Sequence, residues 1–156
     1  MQWKIPKNTD KYYWTQHVVG KMHHYGLSEQ KVLGVIRRPK RIETGIAPDT
    51  VAVMQPAGMM KYDNENKKES WKQEIWVMYQ IKTNNLQLTT DNKFTSKNKA
   101  LQKLQASINS KKKITIISAW RFPGVSPQKD PIPAEIWREI EELYANNHEL
   151  KANFHE

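Results

Sequence analysis

Lys111-Lys112-Lys113-Ile114-Thr115-Ile116-Ile117-Ser118-Ala119-Trp120-Arg121-Phe122-Pro123-Gly124 is the stretch whose reading decides the fold. A basic run opens it, a β-branched run fills it, and a Trp-Arg pair closes it before Pro123-Gly124. Such a run predicts a strand buried on at least one face and stopped by Pro-Gly. Ser118, Trp120 and Arg121 fall at its end, at the mouth of a sheet, where a rigid element can hold a functional cation.

The partners of this strand are sought upstream. Trp71–Ile81 carries Ile75, Val77, Tyr79 and Ile81 on one parity and Trp76 and Met78 on the other. Apolar residues on both faces suit a central strand. Thr50–Gln55 alternates as a strand, and Arg41–Ile46 reads as an irregular first one. Before them, Thr15 caps a helix from Gln16 to Tyr25, with Val18, Val19, Met22 and Tyr25 at helical spacing and Gly26 as its stop. Ser28 caps a second helix, Glu29 to Arg38, ended by Pro39. A third helix occupies 131–148, with Ile136, Trp137, Ile140, Leu143 and Tyr144 as its stripe and Glu139, Glu141 and Glu142 facing away or contacting the basic surface. Residues 1–13 lack periodicity and read as an arm. Residues 56–70 and 83–110 read as loop insertions, the second with Leu101, Leu104 and Ile108 at helical spacing. The order predicts one α+β domain over 1–156: an antiparallel four-stranded sheet with two N-terminal helices and a C-terminal helix, the helices covering one face.

Composition narrows the function classes. The chain has 156 residues, no cysteine and a formal charge of +9. It is long enough for a core without staples, and it has neither a disulfide framework nor a thiolate site. No apolar run reaches membrane length and Met1–Pro6 is not a signal peptide, so a cytoplasmic protein with no membrane partner is expected. The charge is uneven: net +5 over 1–91, +9 with no acid over 92–129, and −5 over 130–156. An acid-free stretch attracts polyanions, most often nucleic acid. A lysine- and asparagine-rich composition throughout the chain is the plainer explanation.

Two segments resemble a known family. One is Trp14-Thr15-Gln16-His17, Lys21-Met22, Tyr25-Gly26-Leu27-Ser28-Glu29, Val32 to Ile36 and Pro39. The other is Glu74 to Tyr79 followed by Ile114 to Arg121. Together they resemble an uncharacterised bacterial domain family near the BrnT and RelE-like toxins, over about 80 core positions. The resemblance implies a compact RelE- or ParE-type fold, ribonuclease activity on translated messenger RNA, association with the ribosome and an antitoxin partner. The sequence departs by placing Trp120 before Arg121, where BrnT-like proteins put the basic residue directly, and by its insertion and acidic C-terminal helix.

His17 and Lys21 lie four residues apart, on one helix face. With Arg121 they form a candidate catalytic set for metal-independent RNA cleavage: His17 as base or acid, Lys21 and Arg121 on the phosphate. The plainer alternative packs His17 on Trp14 and leaves Lys21 solvated. Arg37, Arg38, Lys40 and Arg41, with Lys111, Lys112 and Lys113, are candidate phosphate contacts, or else helix-end and strand-edge charges. Trp120 is a candidate base-stacking residue or a core residue. No metal or cofactor is expected: His17, His23 and His24 do not match a zinc spacing, no Gly-rich phosphate loop occurs, and Ser70 and Ser118 lack a nucleophile-elbow context.

Overall fold

A computed structural model of the chain describes residues 2–45, 49–82 and 113–146. Its elements are β1 (Tyr12–Trp14), α1 (Gln16–Tyr25), α2 (Glu29–Arg37), β2 (Arg41–Thr44), β3 (Thr50–Asp63), β4 (Lys68–Lys82), β5 (Lys113–Pro123) and α3 (Ala134–Asn146). The α+β class is as read. The 83–110 insertion, Lys111, Lys112 and the end of the expected C-terminal helix lie outside the described residues.

The sheet differs from the expected four-stranded antiparallel one. Among the described residues it has five strands in the order β1-β5-β4-β3-β2, and β1 runs parallel to β5. The supposed arm ends in this fifth strand, Tyr12 to Trp14 pairing with Ile114 to Ile116. Three residues are too few to show an alternation, but Tyr12 and Trp14 are buried. Upstream side chains secure the start: the Asn8 carboxamide oxygen accepts from the Trp14 amide and the Thr9 hydroxyl from that of Tyr12.

Thr15 converts strand to helix. Its hydroxyl accepts from the Val18 amide, the N-cap bond, and lies 3.1 and 3.2 Å from the carbonyls of Ile116 and Ile117, to which it donates. Thus α1 begins where β1 stops and packs against β5. Gly26, at φ 66°, ends α1 in the left-handed conformation that glycine adopts without steric cost.

A bulge reconciles the unbroken apolar run of β5 with a two-faced sheet. Ile116 pairs with Tyr79 and Ser118 with Met78, leaving Ile117 as the extra residue. Ile114, Ile116 and Ala119 therefore enter the core beneath α1 and α2, while Ile117 and Trp120 enter the core beneath α3. The helices do not share one face: α1 and α2 cover one side and α3 the other. That is why Trp76 and Met78 are as completely buried as Val77 and Tyr79. The Trp76 and Trp120 rings stack in parallel with centroids 5.9 Å apart. Each such buried side chain contributes about 2–3 kcal/mol.

The expected loop at 56–70 is mostly strand. β3 and β4 stay paired out to Asp63 and Lys68, forming a two-stranded arm beyond the sheet. The Asp63 carboxylate accepts from the amides of Glu65 and Asn66 to close its turn. Residues 58–70 are exposed, so burial imposed no apolar alternation on them. A register shift between Ala57 and Met60 coincides with Gly58, at φ 83°.

Candidate nucleic-acid interface

His17, Lys21 and Tyr25 recur every four residues and form one face of α1. Across from them α3 presents Glu139, beside the buried Ile136 and Ile140. Glu139 lies 2.8 Å from the Lys21 ammonium and 3.8 Å from Nε2 of His17. The sequence pairs His17 with Lys21, but the carboxylate that joins them comes from a helix more than a hundred residues away. Burial lowers the His17 pKa below its ordinary value; Glu139 opposes the shift and Lys21 adds to it. The imidazole is therefore neutral at neutral pH, and its buried Nε2 has no hydrogen-bond partner among the described residues. This is a histidine able to accept a proton, next to a cation.

Arg121 does not join that pair. Its Nε donates to the Tyr25 carbonyl at 2.8 Å, and Nη1 donates to the Gln73 side chain at 3.2 Å. Two helical turns separate His17 from Tyr25, about 12 Å along the axis. The guanidinium thus caps the far end of α1, where carbonyls lack helical partners. Trp120 is 1% exposed and stacked on Trp76, so its ring has no free face for a base.

The basic cluster separates into parts with different work. Arg41 is structural: it pairs with Glu43, lies over the Trp76 ring, and donates to the carbonyls of Ser126, Pro127 and Gln128 and to the Ser126 hydroxyl. It ties the β5–α3 connection to β2. Arg37 and Arg38 are exposed. Arg37 is in the last turn of α2 and Arg38 at its C-cap, where cations favour the helix dipole. The Gln55 side chain donates to the carbonyls of Gly34 and Arg38. Among the described residues neither guanidinium makes a side-chain hydrogen bond or ion pair. Lys40 pairs with Glu69 at 2.8 Å, its ammonium over the Trp71 ring. Lys113 sits over Tyr13 at the opposite end of β5 from Arg121, about 25 Å away at strand rise. Lys113, the described member of the Lys111–Lys113 run, therefore lies apart from the cations at the end of α2.

Among the described residues no three His, Asp or Glu side chains gather as a metal would require. His23 packs on Trp3 and His24 on Tyr25. No helix among them is long and apolar enough to cross a membrane. Comparison with protein-family models, with curated proteins and with solved structures finds no match to the chain.

Proposed function

We propose that this protein acts on RNA, holding phosphates with the cations at the end of α2. The observation that carries the reading is that Arg37 and Arg38 are exposed and, among the described residues, make no side-chain hydrogen bond or ion pair. Exposed guanidinia without local acceptors are suited to bidentate phosphate contact. The overall charge of +9 favours a polyanion in the same way.

The resemblance to BrnT and RelE-like toxins adds cleavage, an antitoxin and the ribosome to this proposal. The reacting groups would be His17 and Lys21. In metal-independent cleavage the 2′-hydroxyl gives its proton to a base and attacks the adjacent phosphorus, expelling the 5′-oxygen. A neutral His17 is in the state to take that proton, although its Nε2 is buried, and Lys21 would reach a phosphate only by leaving Glu139. A second reading, binding without cutting, draws on Arg121 and Trp120: the cation is committed to Tyr25 and Gln73, and the aromatic is buried.

Fluorescence anisotropy with labelled RNA tests binding. Arg37→Ala/Arg38→Ala should weaken it and reduce the log–log salt slope by about 1.4, roughly 0.7 for each phosphate lost. An unchanged slope rejects the α2 site. Induced expression, with RNA integrity followed on a gel, tests cleavage. Fragmentation abolished by His17→Ala in a folded protein supports cutting; intact RNA with retained binding leaves the second reading.

A further inference from the structure

The outer part of β3 has a strand neighbour on one side only. Among the described residues β2 pairs no farther along β3 than Met54, while β4 accompanies it to Asp63. The other backbone edge of the arm is therefore open. Pro56, which has no N–H, and the bulge between Ala57 and Met60 blunt the inner part of that edge. Beyond the bulge the edge runs on through residues 60–63, where Met60 is 48% exposed and Tyr62 59%. An open edge bearing exposed apolar side chains is a template for another strand. Charge identifies that strand. Over residues 58–70 Lys61, Lys67 and Lys68 balance Asp63, Glu65 and Glu69, so the arm is neutral on a chain of formal charge +9. A polyanion gains nothing there, whereas a second copy, which the remaining charge would otherwise repel, can approach. The order of residues is also self-complementary. In an antiparallel pair with its two-fold at Tyr62, Lys61 of each protomer faces Asp63 of its partner, and Tyr62 faces Tyr62. Strand alternation puts both ion pairs on one face and both tyrosines on the other, with Met60 of one protomer diagonal to Tyr62 of its partner and within reach of the ring. A two-fold at Lys61 would set like charges against each other. Hydrogen bonds from the Asn66 side chain and from the amides of Glu65 and Asn66 hold the Asp63 carboxyl below the usual carboxylate range, so it is anionic at neutral pH.

We infer that the open edge of the arm is a homodimer contact, in which residues 60–63 of two copies pair antiparallel about Tyr62. The contact is isologous: each protomer offers the same edge, and the pairing closes at two copies. Main-chain hydrogen bonds along the edge supply attachment, and the alternation of Lys61, Tyr62 and Asp63 sets the register. A contact this short falls below the size of a standard stable interface, so the dimer forms in proportion to concentration. It stands apart from the RNA reading, which rests on the end of α2.

The chain has no cysteine, so single cysteines introduced into the full chain report on the contact. Directly paired Cα atoms of antiparallel strands lie about 4.5–5.5 Å apart, within the span of a disulfide. Under mild oxidation Tyr62→Cys should form a disulfide-linked dimer, whereas Lys61→Cys, offset by two positions from its own copy, should form little. Sedimentation velocity of the parent up to about 1 mM should show a monomer–dimer equilibrium. Lys61→Glu, which sets an anion against Asp63 on both sides of the two-fold, should weaken that equilibrium roughly tenfold. Circular dichroism matching the parent shows that the exposed substitution leaves the fold intact. A parent that stays monomeric throughout, equal bridging by the two cysteine variants, or Lys61→Glu that associates as the parent does overturns the contact. None of these results alters RNA binding at the end of α2, which the Arg37→Ala/Arg38→Ala titration reads separately.

Discussion

Glu74 shows how one residue can secure a connection that no local pattern reveals. Its carboxylate is fully buried on the α3 face of β4. It accepts from the indole N–H groups of Trp71 and Trp76 and from the Ser126 amide. A buried carboxylate is tolerable when its oxygens are so occupied, and removing it strands three donors. Glu74→Ala should cost on the order of 3 kcal/mol in urea unfolding. Glu74→Gln, which keeps one acceptor oxygen, should cost less. His17 makes a different residue-scale prediction. Its pKa is lowered in the folded chain, chiefly by burial. The unfolded chain then takes up the proton more readily as pH falls. The His17 contribution to stability is full above the ordinary histidine pKa and declines as pH drops through it. Urea midpoints at pH 7.5 and pH 5.5 should differ more for the parent than for His17→Gln. An equal difference would show that His17 carries no such linkage.

Among the elements, helices were more legible than sheet edges. Thr15, Gly26 and Ser28 are capping residues at the positions where the chain needs them, and the structure uses each. Their chemistry is local, so sequence reveals it. The strand at Tyr12–Trp14 is specified by Ile114 to Ile116, a hundred residues on, and the arm at 58–70 by pairing without burial. Neither leaves a periodicity to read. The candidate site divides in the same way. His17 and Lys21 are joined by helical spacing, whereas Glu139 and Gln55 reach their places only through tertiary packing. Arg121 stands apart from His17 and Lys21 for a related reason. Arg121, Ile75 and Gln55 form one cross-strand row of β5, β4 and β3. From its two ends Arg121 reaches the Tyr25 carbonyl of α1 and Gln55 the last carbonyls of α2. One row of the sheet thus terminates both helices. Arg121→Ala should destabilise the fold by about 1–2 kcal/mol and Gln55→Ala by about 1 kcal/mol. Hydrogen exchange should accelerate at the C-terminal turn of α1 in the first variant and of α2 in the second. Exchange unchanged at both turns would remove the capping role.

For the whole molecule, the division of positive charge matters more than its total. Lys113 and the Arg121 row lie at opposite ends of β5, about 25 Å apart at strand rise. Gln55, in that row, touches the carbonyl of Arg38. The Debye length is about 8 Å at 0.15 M ionic strength and about 30 Å at 0.01 M. At physiological salt Lys113 is therefore about three screening lengths from the proposed phosphate site at the end of α2, while in dilute buffer it would still add to the field there. A local contact at Arg38 and a distant charge at Lys113 should separate on that basis. Arg38→Glu should weaken RNA binding at both ionic strengths. Lys113→Glu should weaken it in dilute buffer and match the parent near 0.15 M. Stopped-flow association rates should follow the same pattern for Lys113→Glu, because the effect of a remote charge is mainly on encounter. If Lys113→Glu proves as damaging as Arg38→Glu at 0.15 M, RNA contacts both ends of the sheet, and the proposed interface cannot be confined to the end of α2.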